Sequence, residues 1–264
     1  MIGASMPADN LGDWRFSAAT RLAKDVPSAY PGGPSHKAGT PVYQSMITRN
    51  SSGHIVAFNT PSAVALALNI AFQASTAAVV LKARITYRDI ATPLGGGKGV
   101  ETDDSGLLFD YFQQCMVSVT FSFQSLEAFC NQVVSRTLVA PLNITRKSGS
   151  QSMDAADIER YLSTDEKLAT VLPQLLGIQG PRGTKLWQRY NGLKKIRDST
   201  IHLKSEDQYS SSNIDRESLF FQFLNHHPHQ YPRIALEIVE YFERRPDVRW
   251  LNEARNILPR TAGA

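Results

Sequence analysis

Two residues with catalytic potential, Arg197 and His202, stand five positions apart in the run Arg-Asp-Ser-Thr-Ile-His. Histidine exchanges protons near neutral pH because its unperturbed pKa is about 6.5, so it can act as a general acid or base. Arginine presents a fixed fork of donors that matches the oxygens of a phosphate or carboxylate group. The pair therefore suits acid–base chemistry on a bound anion, but an Arg and a His at this spacing are a weak signal on their own.

The pair belongs to an amphipathic helix that we predict over residues 184–203. With Leu186 set at zero on a helical wheel of about 100° per residue, the buried stripe consists of Tyr190, Leu193, Thr200 and Ile201. Arg197 falls at about 20°, inside this stripe, where a charge is costly unless it is paired or faces a polar cleft. His202 lies about 140° further round, on the polar side with Asn191, Lys195 and Asp198. One helix thus presents the two groups in different directions.

The wheel alone leaves two interpretations of these residues open. Either Arg197 reaches a carboxylate and His202 is a surface residue near a helix end, or both belong to a functional site. Glu127, in an apolar helix, is the best-placed carboxylate for Arg197, as a salt-bridge partner or as a catalytic group. Lys194, Lys195 and Lys204 either follow a nucleic-acid backbone or cover a solvated face.

Helix signals extend along most of the chain. Apolar runs and capping residues predict helices over residues 60–88, 105–139, 163–176, 184–203, 215–225, 232–245 and 248–258, with a short helix starting at Ser152. Pro93 and the glycine-rich residues 95–99 predict a loop. Strand is the competing prediction over residues 117–123, where β-branched and aromatic residues cluster, and we favour helix because the run is long.

These signals predict an all-α fold, a helical bundle. Residues 1–56 contain five prolines and no sustained period, so we expect an irregular N-terminal arm there. Residues 57–260 are expected to form an α-helical domain with its core at about 105–245.

Composition sets broad limits on the function. The 264-residue chain is 42% hydrophobic and 20% charged, which supplies a core and argues against general disorder. Its net charge of +4, from 28 basic and 24 acidic residues, permits a local basic groove for nucleic acid but does not by itself indicate one. Cys115 and Cys130 lie in apolar sequence and predict buried free thiols in a reducing compartment.

Two features bear on location. The N-terminus shows no secretory signal, so we expect a cytoplasmic protein. Residues 62–81 carry no charge and approach the length of a membrane span. Because this stretch is rich in alanine and interrupted by polar side chains, we favour a buried helix and no membrane association, with a membrane-associated helical protein as the alternative.

Other motifs are weaker. His226, His227 and His229 could ligate a metal, but Pro228 interrupts any helix and no Cys or carboxylate stands at ligand spacing. The run from Gly95 to Lys98 lacks the residue order of a phosphate-binding loop. We therefore expect neither a metal nor a cofactor.

The run from Arg197 to His202 resembles the defining motif of the HEPN superfamily, which is an Arg, a polar residue, three arbitrary residues and a His. Asp198 is the favoured residue in second place. The flanking run Lys-Leu-Trp-Gln-Arg-Tyr-Asn-Gly-Leu-Lys-Lys-Ile before the motif and Leu-Lys-Ser-Glu-Asp after it are also similar to that family, as is Phe-Gln-Ser-Leu-Glu-Ala-Phe at residues 123–129. The resemblance covers roughly residues 105–245.

The resemblance implies a helical bundle that pairs, so that two copies of the motif line one cleft. It implies a metal-independent endoribonuclease of a prokaryotic defence or toxin–antitoxin system, with an RNA substrate, a homodimer and an antitoxin or regulatory protein as partners. His202 would serve as base or acid, Arg197 would donate to the phosphate, and Asp198 would orient a neighbour. The alternative is a non-catalytic HEPN-like module that binds RNA, nucleotide or a partner protein.

Overall fold

The computed structural model describes residues 11–92, 95–146, 149–204, 207 and 218–257. The helices in these ranges are α1 (Ala63–Arg84), α2 (Ser105–Thr137), α3 (Ala155–Tyr161), α4 (Thr164–Glu166), α5 (Leu172–Leu176), α6 (Lys185–Ile201), α7 (Leu219–Asn225), α8 (Gln230–Phe242) and α9 (Arg249–Ile257). The strands are β1 (Ala19–Arg21), β2 (Pro41–Tyr43), β3 (Ser45–Arg49), β4 (Ile55–Asn59), β5 (Tyr87–Thr92), β6 (Gly95–Val100), β7 (Leu142–Arg146) and β8 (Gly149–Met153).

The predicted all-α class is wrong, because the protein is a mixed α and β fold, 54% helical and 18% strand. Within the described ranges the strands form four two-stranded antiparallel sheets, each pairing successive strands from β1–β2 to β7–β8. The N-terminal arm is not irregular, since its described part contains β1 to β3, and its predicted boundary at residue 56 falls inside β4. A helical bundle therefore accounts for only part of the chain.

Local chemistry explains the hairpins. Between β3 and β4, the Asn50 side chain accepts hydrogen bonds from the backbone N–H groups of Ser52 (3.1 Å) and His54 (2.9 Å), and Gly53 takes a φ of 81°. The predicted loop at residues 95–99 is strand β6, in which glycines face Ile90 of β5. A Cβ at Gly99 would stand 3.0 Å from Ile90 Cγ2, so the missing side chain makes room for the isoleucine.

The core is built around α2, whose prediction as a helix through residues 117–123 is confirmed. This helix packs along α1 and also contacts α6 and α8. Most of the buried apolar residues form one cluster, which includes Ile144 of β7 and Met153 of β8. Cys115 and Cys130 are fully buried free thiols, as the sequence predicts. Trp14 of the N-terminal arm packs against the same core.

Helix α1 begins later than predicted, because Ser62 and not Thr60 caps it by accepting from the backbone N–H of Ala65 at 3.2 Å. By length and composition α1 could cross a membrane. Half of its most apolar window is nevertheless buried, with α2, α8 and α9 packed against it. These contacts place one side of α1 against the core.

A continuous helical stretch over residues 164–176 positions an acidic residue next to α6. It begins where a helix was predicted, with a reciprocal capping box between Ser163 and Glu166, and continues through π-helical hydrogen bonding at Lys167–Val171. The buried Lys167 ammonium donates to Asn131 Oδ1 (2.8 Å) and to the carbonyl of Glu159 (3.0 Å), which ties this stretch to α2 and α3. Asp165 in its first turn is thereby held against α6.

The remaining helix predictions hold approximately. Helix α6 covers Lys185–Ile201 where residues 184–203 were expected, and α8 and α9 start or end within a few residues of the predicted bounds. The short helix expected from Ser152 starts at Ala155, because Ser152 belongs to β8 and Asp154 is the capping residue. Of the helix predicted at 215–225, residues 215–217 lie outside the described residues.

Candidate functional site

The candidate site is built on α6, which begins where Thr184 accepts a hydrogen bond from the backbone N–H of Trp187 at 3.2 Å. Its buried face consists of Tyr190, Leu193, Ile196 and Thr200. The wheel placed three of these correctly, but it missed Ile196 and wrongly included Ile201, which is 52% exposed. The helix ends at His202, whose backbone N–H donates to the carbonyl of Asp198 at 2.9 Å.

Arg197 packs inward, as the wheel predicts. Its guanidinium carbon lies 3.8 Å from the centre of the Phe123 ring on α2, a cation–π contact that covers the apolar side of the charge. Its Nη1 lies 3.0 Å from Oδ1 of Asp198, and the side chain is 24% exposed. The Arg197 Nε is buried without a hydrogen-bond partner, so the ring and the neighbouring carboxylate are what compensate the charge.

Glu127 is not the carboxylate that meets Arg197. Its side chain is exposed on α2, and the ion pair of Arg197 found among the described residues is with Asp198. The expected salt bridge between Glu127 and Arg197 therefore does not form, and the carboxylate that pairs with Arg197 is that of the adjacent Asp198.

An open groove of about 400 Å³ runs along the polar face of α6. The side chains that line it are Asn191, Lys194, Lys195, Asp198, Ser199, His202 and Lys204. They recur every three or four positions along one helix face and continue just beyond its C-terminus. The groove thus combines an exposed imidazole with three cationic side chains, a combination that can bind phosphate and move a proton.

Lys194 is fixed at one edge of this groove by Asp165. The ammonium of Lys194 and the hydroxyl of Tyr190 both donate hydrogen bonds to the Asp165 carboxylate. Burial raises the pKa of Tyr190, and its bond to Asp165 adds to this, so the hydroxyl keeps its proton. One carboxylate from α4 therefore orients a cation of the groove and anchors the buried face of α6.

The structure brings His202 and Asp198 to one groove with all three predicted lysines, and it leaves Arg197 and Glu127 outside the groove lining. Asp198 connects the two sides of α6, since it lines the groove and pairs with Arg197 behind it. Sequence reasoning did not single out Ser199 or Asp165. Ser199 stands three residues before His202 on the same face, a spacing that would have identified it, but Asp165 reaches α6 only through tertiary packing.

The histidines of the run 226–229 are arranged differently from a metal site. The rings of His227 and His229 lie 5.2 Å apart, and His229 Nδ1 is 2.8 Å from the hydroxyl of Ser75. Within the described part of the chain, no group of three or more His, Cys, Asp or Glu side chains is placed to hold a metal ion.

Comparisons with protein-family models, with curated proteins and with solved structures found no match to this chain.

Proposed function

We propose that the chain is a metal-independent endoribonuclease that cleaves RNA by attack of its own 2′-hydroxyl. The observation that carries the proposal is the groove on α6, where His202, Asp198 and three lysines share one open surface. The resemblance of residues 197–202 to the HEPN motif supports the same chemistry. The proposed setting is the cytoplasm of a prokaryotic defence or toxin–antitoxin system, in which an antitoxin or regulatory protein restrains the activity.

In the proposed reaction His202 takes the proton of a 2′-hydroxyl. The 2′-oxygen then bonds to phosphorus, the bond from phosphorus to the 5′-oxygen breaks, and a protonated group returns a proton to that leaving oxygen. The products are a 2′,3′-cyclic phosphate and a 5′-hydroxyl. The lysines of the groove hold the phosphate backbone.

Arg197 has a positioning role in this proposal, which revises the expectation that it donates directly to phosphate. Its guanidinium is occupied by the Phe123 ring and by Asp198. A charge held in this way fixes the rotamer of Asp198 at the groove wall, beside the last turn of α6. The expected direct role would require the arginine to leave both contacts.

A second protomer completes the proposed site. Cleavage needs a base on one side of the phosphate and an acid on the other, and the groove of one chain contains one imidazole. A two-fold axis beside the exposed end of α6 would supply the second imidazole from an identical residue. The active species is therefore proposed to be a homodimer.

One observation favours a second candidate, a non-catalytic module that binds RNA. Arg197 is turned away from the groove, so a single protomer offers cations and one histidine but no arginine to the phosphate. Such a groove can hold RNA through its phosphates without cutting it. Binding that weakens with salt but produces no cleavage would support this candidate.

Purified protein incubated with EDTA and with RNA or DNA oligonucleotides of one sequence tests the proposal. We expect RNA to be cut with 2′,3′-cyclic phosphate ends and DNA, which lacks the attacking hydroxyl, to remain intact. RNA bound but uncut would favour the binding module. Loss of cleavage on chelation, or cleavage of DNA, would contradict the proposed mechanism.

A further inference from the structure

A second, open cavity lies between α1, the end of α9 and the residue before α8. It has a volume of about 560 Å³ and is mostly apolar. Phe72, Ala77, Val80, Leu81 and Ile257 contribute its apolar lining. This volume falls within the range of about 300 to 1,000 Å³ that is usual for small-molecule sites.

Two polar side chains of this cavity are buried, Ser75 at 0% and His229 at 8% exposed. The Nδ1 of His229 lies 2.8 Å from the hydroxyl of Ser75, and that hydroxyl also lies 2.9 Å from the carbonyl of Phe72. A carbonyl can only accept and a serine hydroxyl has one proton to give. Both contacts are satisfied when Ser75 donates to Phe72 and the Nδ1–H of His229 donates to Ser75.

This hydrogen-bond arrangement favours one tautomer of His229. With its proton on Nδ1, a neutral imidazole carries a lone pair on Nε2. Burial lowers the pKa of His229, and the neighbouring His227 and Arg233 lower it further, so the ring is neutral at pH 7. Among the described residues no group hydrogen-bonds to Nε2, which leaves this nitrogen as an acceptor for a molecule in the cavity.

We propose that this cavity binds a small, largely apolar molecule that carries a hydroxyl group, with the hydroxyl donating to Nε2 of His229. The described residues lining the cavity include no lysine or arginine, which disfavours carboxylates and phosphates. A lone pair facing the ligand also rejects groups that only accept hydrogen bonds. The same arrangement excludes Ser75 as a nucleophile, because its proton is committed to a main-chain carbonyl.

This site is independent of the proposed RNA cleavage. None of its lining residues is shared with the groove on α6. Binding can therefore be measured on the full chain without RNA, and the failure of either proposal leaves the other standing.

The test is calorimetric titration of the purified protein with 1-naphthol and with 1-methoxynaphthalene, two probes of one ring system of which only naphthol donates a hydrogen bond. We expect naphthol to bind about fivefold more tightly, the effect of one net hydrogen bond. In His229→Phe the two affinities should become equal. In Thr76→Trp, which fills the cavity from an exposed rim position, binding of both probes should be lost.

If His229→Phe fails to fold in a thermal melt, Ser75→Ala takes its place. Removing the hydroxyl releases the proton from Nδ1, so the preference for naphthol should fall below that of the wild type. Equal affinities in the wild type, an unchanged preference in these variants, or no binding of either probe would overturn the proposal.

Discussion

Two histidines of this chain occupy opposite kinds of environment. His202 ends α6 with its side chain exposed, beside three lysines in an open groove. His229 is 8% exposed, is tied to Ser75 and borders a cavity that is mostly apolar. The first is open to water and to a bound anion, whereas the second is buried and is hydrogen-bonded through Nδ1 to Ser75. Solvent access and neighbouring charges, more than residue type, therefore decide what each imidazole can do.

The largest effect on stability that we predict concerns Phe123, which packs behind the groove that contains His202. Phe123 is 3% exposed and carries the Arg197 guanidinium on its ring. Phe123→Ala should lower the free energy of unfolding by about 3 to 5 kcal/mol, because it removes a buried ring and leaves a cavity. Urea unfolding measures this change. The matched control is Phe109→Ala on the same helix, where the side chain is 59% exposed, and a loss as small as that of the control would contradict the role of Phe123.

A smaller effect distinguishes positioning from direct contact at Arg197. Arg197→Lys keeps the charge but loses the planar group that stacks on Phe123 and reaches Asp198. Cleavage should slow about tenfold through misplacement of Asp198, while RNA affinity stays unchanged because the groove lysines remain. Single-turnover kinetics and a binding titration separate the two quantities. Arg189→Lys, at an exposed ion pair with Glu237, should change neither, and a loss of RNA affinity in Arg197→Lys would indicate direct phosphate contact.

The smallest predicted effect concerns the pH dependence of the protein's stability, and it tests the buried environment of His229. Burial lowers the pKa of both His226 and His229 in the folded protein. The charge of Lys82 lowers the pKa of His226 further. His227 and Arg233 have the same effect on the pKa of His229. As pH falls below about 6.5, the unfolded chain takes up protons that the folded protein does not. The free energy of unfolding contributed by these residues is therefore fully present above that pH and is lost as pH falls toward the folded pKa values.

Thermal melts between pH 7.5 and 5.5 test this statement. The melting temperature should fall over that range, and His229→Phe should show a shallower fall than the wild type. Equal slopes in wild type and His229→Phe would contradict the burial argument.

Much of the candidate site could be predicted from sequence because helical periodicity decides which residues share a face. The wheel placed Asn191, Lys195, Asp198 and His202 together, and the structure finds them in one groove. The same wheel placed Arg197 inward. It could not identify Phe123 as the contact of Arg197, because that contact joins two helices distant in sequence.

The strands and the second cavity were harder to predict. The hairpins are short, and β6 is composed largely of glycine, which has weak strand propensity and reads as a loop. Its pairing depends on Ile90 filling the space above Gly97 and Gly99, a cross-strand fit with no local signal. The cavity at His229 forms because α1 packs beside residues that are distant in sequence. Such a contact has no local sequence signal, and the sequence indicated only a weak metal motif at residues 226–229.

The most direct test of the proposed ribonuclease site is the cleavage rate of His202→Ala, measured in the presence of EDTA on the RNA that the wild type cuts. His54→Ala, at an exposed histidine of the N-terminal arm, is the matched control. We predict a fall of about 10² to 10⁴-fold for His202→Ala, the usual contribution of a general acid or base, with an unchanged melting temperature and no effect in the control. Cleavage by His202→Ala at the wild-type rate would contradict the assignment of the groove as a ribonuclease site.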